Sequence, residues 1–265
     1  MGMKANILGN NLDCFKDYRE LYDHTLNELR NNSRKGYVTV NNVHTIMEGF
    51  NDPGFRAIIN NAFLSIPDGK PLEVVGKIKG HKNISRLFGP TVMEKFIDWG
   101  RKDNVSHLFF GSSEETLQKL RLAIESGYPG TEIVGMIAPP YKPAADWDND
   151  YFIRLINESG ADFIWVGLGA PKQERWMYDH HDKVKKGILF GIGAGFDYMA
   201  GHTKHAPVWM KEASLEWLYR LIQEPRRLWK RYSKTIPAFI FFASLEILGI
   251  QFRSRNKYIN ATLKS

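Results

Sequence analysis

The chain has 265 residues, of which 43% are hydrophobic and 25% are charged, and its formal net charge is +7. This composition provides enough apolar side chains for a folded core, which excludes an intrinsically disordered protein. The single cysteine, Cys14, excludes both an internal disulfide framework and a cysteine-rich zinc site.

The first third of the chain predicts a helix, a short strand and a second helix. Apolar residues recur at helical spacing within 15–35, and 37–40 is a short β-type run. A break at Asn51-Asp52-Pro53-Gly54 precedes a predicted helix over 54–62. The apolar step from Phe63 to Ile66 then leads into Pro67-Asp68-Gly69, which places Asp68 directly after a predicted strand.

From residue 91 onward, strands and helices alternate. Thr91 and Glu94 match a capping box that opens a helix through Trp99. Ser112 or Ser113 is expected to cap the next helix, whose apolar face carries Leu117, Leu120 and Ile124. The predicted strands are 105–110, 132–137, 162–166 and 187–192, and a further helix is predicted over 151–159.

Repeated strand–helix units predict a Rossmann-like α/β fold, with a parallel sheet flanked by helices on both faces. Ligands of such sheets bind at the carboxyl ends of the strands. The Asp68 loop and the glycine-rich turns at Gly167–Gly169 and Gly191–Gly195 are therefore the candidate binding loops.

The character of the sequence changes near residue 209, so we predict a core over 1–208 and a helical appendage over 209–265. Six basic residues and one acidic residue lie between Arg220 and Lys234, among several aromatic residues. This pattern is typical of a segment that lies on an anionic membrane surface. The apolar stretch Ile236–Ile250 contains Glu246 and is shorter than the ~20 residues of a membrane-spanning helix.

The positive charge alone fits nucleic acid, anionic lipid or a phosphorylated substrate. No recognised nucleic-acid motif is present, and the apolar stretch after the basic run favours lipid over nucleic acid. The N-terminal stretch Met1–Asp13 has no apolar core of signal-peptide length, so we expect a cytoplasmic protein.

Three polar residues near the predicted strand ends are candidates for chemistry. Asp68 could act as a general base, or it could be a turn aspartate that accepts hydrogen bonds from its own backbone. Thr39 and Asn41 lie two residues apart on an extended run, so their side chains face the same side. They are candidates for binding a sugar or a phosphate, although a polar strand end is the simpler interpretation.

The two glycine-rich turns could approach a phosphate closely. Gly167-Leu168-Gly169-Ala170-Pro171 joins a strand to a helix that begins near Lys172 and Gln173, where free N–H groups favour anions. This turn lacks the third glycine of a dinucleotide fingerprint, and Gly191–Gly195 is a similarly incomplete match, so the two turns support NAD binding only weakly.

The segment Asp146-Trp147-Asp148-Asn149-Asp150 contains two Asp-x-Asp patterns, which in many nucleotide-sugar enzymes hold a divalent metal. Helix capping by Asp148 or Asn149 explains the same residues more simply. His180 and His181 are neighbours on a helix, so their imidazoles diverge and do not favour a metal site.

Several short motifs follow one another along the chain. They are Thr39-Val40-Asn41, Pro67-Asp68-Gly69, Val166 to Glu174, Gly193 to Asp197, Ala206-Pro207, and Glu216 to Leu221 followed by Glu224-Pro225-Arg226-Arg227. In this order they resemble the WecG/TagA/CpsF family of bacterial glycosyltransferases over roughly residues 37–233. The resemblance implies an inverting, metal-independent enzyme without cofactors, which transfers a sugar from a UDP-sugar to an undecaprenyl-diphosphate-linked sugar. It also implies a peripheral location on the cytoplasmic face of the membrane, and self-association into a homo-oligomer.

The resemblance also implies roles for individual residues. Asp68 would be the catalytic base, and arginines of the appendage would bind a diphosphate. The remaining residues would bind substrate. The implied substrate-binding residues are Thr39, Asn41, Arg86, Gly169, Gln173, Gly193, Arg220, Arg227 and Arg231.

One departure from the family pattern lies at Arg86–Thr91, where the usual aspartate is absent, and it bears on which sugar is transferred. Two alternatives stay open at this point. One is an NAD-dependent oxidoreductase on a Rossmann-like sheet, and the other is a non-catalytic module that binds a membrane surface.

Overall fold

The structure, a computed structural model, describes residues 3–250 apart from positions 208, 211, 212 and 214. Its strands are β1 (Lys4–Ile7), β2 (Asn10–Asp13), β3 (Gly36–Asn41), β4 (Leu64–Pro67), β5 (Ser106–Gly111), β6 (Glu132–Ile137), β7 (Phe163–Gly167) and β8 (Ile188–Gly191). Its helices are α1 (Tyr18–Asn31), α2 (Val43–Asn51), α3 (Pro53–Asn61), α4 (Lys70–Ile78), α5 (Gly89–Gly100), α6 (Glu114–Gly127), α7 (Asn149–Ser159), α8 (Lys172–His180), α9 (Gly195–Met199), α10 (Glu216–Gln223) and α11 (Pro225–Ile247).

Strands β3 to β8 form a six-stranded parallel sheet in the order β4-β3-β8-β7-β5-β6. The registers place Val38 of β3 beside Leu64 of β4 on one side and beside Phe190 of β8 on the other. The inner strands are buried along most of their length, as expected for a parallel sheet that is covered on both faces. The predicted Rossmann-like α/β class is confirmed.

Alternate residues of each strand serve opposite faces of the sheet. Phe109 and Trp165 belong to a core that includes residues of α1, α5 and α6. Their neighbours Phe110 and Val166 belong to a second core, with residues of α3, α7 and α8. The sheet is therefore the middle layer between two helical layers, which leaves its carboxyl edge as the place for a site.

Local capping follows the sequence in one case and departs from it in another. Ser113 caps α6, because its hydroxyl accepts an N–H of the first helical turn at 3.2 Å. The capping box predicted at Thr91 and Glu94 is wrong, because α5 already begins at Gly89 without a side-chain cap. Pro90 suits this earlier start, since its fixed φ is preorganised for the first turn of a helix.

The N-terminal hairpin of β1 and β2 was not predicted. Its two-residue turn, Leu8-Gly9, has φ of 50° and 81°, the positive values of a tight hairpin turn. Leucine rarely adopts a positive φ, so the sequence carries no conventional turn signal here. The Leu8 N–H is held by the carboxylate of Glu246 on α11, at 3.1 Å from each oxygen.

Helix α11 packs against α2, α4 and the hairpin. Phe239 and Ala243 are each 3% exposed, and they share an apolar cluster with Met47 and Leu72. Phe242 adds a ring contact with Phe50 at 4.7 Å between centroids. The boundary at 208/209 stays a prediction. Among the described helices, none is both long and apolar enough to cross a bilayer.

Candidate active site

Four adjacent strands bring the candidate loops to one edge of the sheet. Asp68 follows β4, Asn41 ends β3, Gly193 follows β8 and Gly169 follows β7. The parallel registers align these strand ends, with Asn41 beside Pro67 and Thr39 beside Gly191. Loops that are 24 or more residues apart in sequence therefore meet at this edge, as predicted from the strand–helix pattern.

Asp68 is fixed through both its backbone and its carboxylate. Its N–H donates to the carbonyl of Asn41 at 2.7 Å, and its own carbonyl accepts from Arg86 Nε at 2.8 Å. Its Oδ1 accepts the N–H of Gly89, the first residue of α5, at 3.1 Å. The carboxylate is thus anchored by a distant element and is not the self-bonded aspartate of an isolated turn.

Thr39 and Asn41 belong to a buried hydrogen-bond network next to the Asp68 loop. Asn41 Nδ2 donates to Thr39 Oγ1 and to Ser65 Oγ, both at 2.9 Å, and the two hydroxyls are 2.8 Å apart. All three residues are fully buried. Their side chains face the same side, as predicted, but in this structure they contact one another and do not line the open cavity beside Asp68.

Gln173 ties together the two glycine-rich loops. Its Oε1 accepts the N–H of Gly169 at 3.1 Å and the N–H of Gly193 at 2.9 Å. Both glycines have positive φ, 81° and 53°, the region where glycine is favoured. These two amides therefore donate to Gln173 in this conformation. Substrate binding by Gly169, Gln173 and Gly193 stays a prediction.

Glu174 holds the other end of the same carboxamide. Its Oε1 accepts from Gln173 Nε2 at 2.8 Å, while its Oε2 has no hydrogen-bond partner among the described residues. The side chain is fully buried, and burial raises the pKa of Glu174 to about 7 against the weaker opposing effect of the Gln173 hydrogen bond.

A cavity of about 390 Å³ lies beside Asp68, between the β3 and β4 ends of the sheet and the C-terminal helices. Among its described lining residues, Asp68 is the one carboxylate, and the other charged side chains are basic. Those basic residues are Lys70, Arg86, Arg220 and Arg231. Such a lining favours an anionic ligand next to a carboxylate base.

The arginines from the C-terminal helices are half-buried, and their buried Nε atoms have spare hydrogen-bond capacity. Within the described part of the chain, Nε of Arg220 and Nε of Arg231 have no hydrogen-bond partner. Burial lowers the pKa of Arg220, but Tyr198, Tyr232 and Asp68 outweigh it and the pKa is raised overall. Both guanidinium groups can therefore donate further hydrogen bonds to an anion.

His44 lines the same cavity but adds no charge near neutral pH. Burial, reinforced by the neighbouring charge of Arg231, lowers the pKa of His44 to about 4. Lys70 is paired with Glu73 at 3.0 Å, which offsets part of its charge. The arginines are therefore the principal cations of the cavity. The predicted Arg227 side chain lies outside the part of the chain that the structure describes.

The Asp-x-Asp segment has a structural role. Asp148 caps α7 by accepting the N–H of Tyr151 at 3.0 Å, as the simpler interpretation predicted. Asp150 forms an ion pair with Lys183 at 2.9 Å. Across the described residues, no cluster of three or more metal-ligating side chains is present. The expectation that the reaction needs no metal stays a prediction.

Comparison with known proteins decides the family. Residues 5–253 match the profile of the glycosyl transferase WecG/TagA/CpsF family. The chain belongs to this family. It is a glycosyltransferase, which confirms the resemblance seen in the motifs and excludes the oxidoreductase and non-catalytic alternatives.

Several similar proteins share one name, N-acetylglucosaminyldiphosphoundecaprenol N-acetyl-beta-D-mannosaminyltransferase. The Bacillus subtilis (strain 168) protein is 25% identical over 226 residues, which are 84% of this chain and 83% of the relative. The Bacillus spizizenii (strain ATCC 23059 / NRRL B-14472 / W23) protein is 26% identical over 208 residues, 78% of each chain. The Staphylococcus aureus (strain MW2) protein is 24% identical over 194 residues, 71% of each.

The glycosyltransferase site includes two residues that the motifs alone did not single out. Ser65 completes the buried network, and Gly89 donates to Asp68. Ser65 was detectable in principle, because it is a polar residue between Leu64 and Ile66 in an apolar run. The part played by Gly89 depends on a contact with a residue 21 positions away, which local sequence does not show. Glu174 lies within the glycine-rich motif and orients its neighbour Gln173, a role that the motif did not assign to it.

Proposed function

We propose that this glycosyltransferase moves a hexose or N-acetylhexosamine from a UDP-sugar to a polyprenyl-diphosphate-linked sugar, in the synthesis of a cell-surface polysaccharide or teichoic acid. The names of the relatives support a diphosphoundecaprenol-linked acceptor. The observation that carries the proposal is the anchored Asp68 carboxylate in the wall of a cavity lined by Arg86, Arg220 and Arg231.

In the proposed reaction, Asp68 takes the proton of an acceptor hydroxyl. The hydroxyl oxygen forms a bond to the anomeric carbon of the donor, and the bond from that carbon to the UDP phosphate oxygen breaks. Attack occurs opposite the leaving group, so the configuration inverts in one displacement. The Gly89 N–H contributes by fixing the carboxylate before the substrate arrives.

The departing diphosphate needs positive charge, and the arginines that line the cavity can supply it. A guanidinium offers a planar set of N–H donors that matches phosphate oxygens. We expect the reaction to proceed without a metal ion. Both proposed substrates contain a diphosphate, so this chemistry serves the donor and the acceptor alike.

We also propose that the protein acts as a peripheral protein on the inner face of the membrane. Trp229 of α11 is 64% exposed, and the basic residues Arg226, Lys230 and Lys234 are exposed on the same helix. Aromatic and basic side chains together favour an anionic lipid surface. Self-association, which the family resemblance implies, stays a prediction.

The test is a panel of UDP-sugars with a detergent-soluble lipid-diphosphate-sugar acceptor. We expect UDP release and a product one sugar heavier, detected by mass spectrometry, with one preferred donor. Nuclear magnetic resonance of the product linkage would report inversion, and a chelator should leave the rate unchanged. Failure of every donor with every lipid-linked acceptor would contradict the proposal.

A further inference from the structure

The described lining of the cavity beside Asp68 combines two kinds of side chain. The basic lining includes Arg86, Arg220 and Arg231, and the apolar lining comes from α2, α4 and α11. The apolar lining residues on these helices are Val43, Pro71, Ile236, Phe239 and Ile240. A ligand that fills the whole cavity must therefore have an anionic part and an apolar part.

Helix α11 contributes both basic and apolar lining residues along a single face. Arg231, Tyr232 and Thr235 line the cavity, and Ile236, Phe239 and Ile240 continue the same stripe at helical spacing. At about 1.5 Å per residue, the stripe from Arg231 to Ile240 spans about 14 Å. The lining thus changes along the helix from a guanidinium to branched aliphatic side chains.

The apolar end of the stripe opens to the surface. Phe239 is 3% exposed, whereas Ile240, which also lines the cavity, is 60% exposed. The next exposed apolar residue, Phe241, is 59% exposed but does not belong to the lining. A chain leaving the cavity past Ile240 would keep apolar contact until it reached the surface.

This gradient does not suit the nucleotide half of the donor. A uracil and a ribose carry hydrogen-bonding groups that an aliphatic wall would leave unsatisfied. A diphosphate that is esterified to a hydrocarbon matches both the basic and the apolar lining. Its phosphates would lie at Arg231 and Arg220, and its first hydrocarbon units would lie along α11.

We propose that the cavity is the acceptor site, and that Ile236, Phe239 and Ile240 bind the first isoprene units of the lipid next to its diphosphate. The assignment rests on the proposed function, and it adds a lipid-recognition role for α11 inside the active site. The donor would then approach Asp68 from the side of β7 and β8, where Gln173 holds the glycine-rich loops.

The experiment compares Ile240→Gln with Phe241→Gln in the full chain, in detergent and without a bilayer. The two positions are neighbours of nearly equal exposure, but only Ile240 lines the cavity. Two acceptors carry the same sugar diphosphate, one esterified to a farnesyl chain and the other to a methyl group. Thermal unfolding of both variants checks that each is folded.

We expect Ile240→Gln to raise KM for the farnesyl acceptor about tenfold, since one apolar ligand contact is lost. Its KM for the methyl acceptor and for the donor should match wild type, and Phe241→Gln should match wild type with both acceptors. Equal effects at positions 240 and 241, or an equal loss with the methyl acceptor, would overturn the proposal. Competition by phosphatidylglycerol against the farnesyl acceptor would also overturn it, by assigning the cavity to a bilayer lipid.

The outcomes separate this assignment from the broader function. If wild type transfers sugar to the farnesyl acceptor and Ile240→Gln has an unchanged KM, the lipid assignment fails and the proposed function stands. If wild type transfers to neither acceptor with any UDP-sugar, the proposed function itself fails.

Discussion

The two sides of the cavity are held in different ways. On the sheet side, Asp68 is tied to β3 and α5 by hydrogen bonds, and at the neighbouring strand ends Gln173 uses its Oε1 to join two loops. On the helical side, Arg220 and Arg231 are half-buried, and their Nε groups lack hydrogen bonds among the described residues.

This difference indicates that the sheet side positions the catalytic base and that the helical side binds substrate. Internal hydrogen bonds fix the sheet side before substrate binds, which suits a base that must be positioned to fractions of an ångström. The helical side retains Nε donors that no described residue pairs, and such donors can bind an anionic ligand. We therefore expect changes on the sheet side to alter the chemical step or the fold, and changes on the helical side to alter substrate binding.

The largest expected effect is on the sheet side, at Asp68. Asp68→Asn removes the base but keeps an oxygen that can accept the Gly89 N–H, so the loop should stay in place. We expect kcat to fall about 10²- to 10⁴-fold, while UDP binding measured by calorimetry is retained. Asp150→Asn, which changes an exposed carboxylate paired with Lys183, is the matched control. A kcat close to wild type in Asp68→Asn would remove Asp68 from the role of base.

The second effect tests the buried carboxyl that supports the same side. Burial raises the pKa of Glu174 to about 7 from an ordinary value of 4.5. Below pH 4.5 the carboxyl is protonated in both folded and unfolded chains. Between about 4.5 and 7 only the unfolded chain ionises, so stability falls as pH rises, by at most on the order of 3 kcal/mol.

Glu174→Gln should abolish this contribution. The free energy of unfolding of the variant, relative to wild type, should rise between pH 5 and pH 8 and then stay constant. Denaturant titrations at several pH values measure it, and Glu174→Met should show the same pH dependence while losing the hydrogen bond to Gln173. Parallel wild-type and Glu174→Gln curves would show that Glu174 ionises normally in the fold.

The α/β fold was predictable from the sequence because its cause is local. Near-continuous apolar runs such as 105–110 and 162–166 can satisfy a parallel sheet that is buried on both faces, and helical segments separate them. The identity of Asp68 as the central carboxylate was also predictable, because a polar residue directly after a strand reaches the carboxyl edge of the sheet.

The details of the site were not predictable because they depend on distant partners. The sequence predicted that Gln173 binds a ligand, but in the structure its carboxamide oxygen accepts the N–H of Gly193, which is 20 residues away. The sequence made the same prediction for Thr39. In the structure Thr39 lies beside Ser65, and local sequence does not show the strand register that brings them together. The helical wall depends on α11 docking against α2, roughly 190 residues earlier in the chain.

The third prediction tests the helical side. Arg220→Lys keeps the charge but loses the planar set of donors, so kcat/KM should fall about 10- to 100-fold. Arg121→Lys, at an exposed position of α6, should leave kcat/KM unchanged. Because Arg220 Nε bonds no described group, the thermal stability of Arg220→Lys should stay close to wild type. A large loss of stability with normal kcat/KM would make Arg220 a structural residue.

The smallest expected effect tests how α11 is held against the N-terminal hairpin and the end of α4. Glu246 accepts the Leu8 N–H at 3.1 Å and pairs with Lys79 at 3.2 Å, with its side chain 22% exposed. Glu246→Gln keeps one acceptor but removes the charge, and should cost about 1 kcal/mol of unfolding free energy. Glu158→Gln, at an exposed position of α7, is the control and should stay within about 0.5 kcal/mol of wild type. Because α11 also forms the lipid-facing wall, Glu246→Gln should raise KM for a farnesyl acceptor slightly and leave KM for the donor unchanged. A shift in the donor KM alone would show that α11 serves the nucleotide and not the lipid.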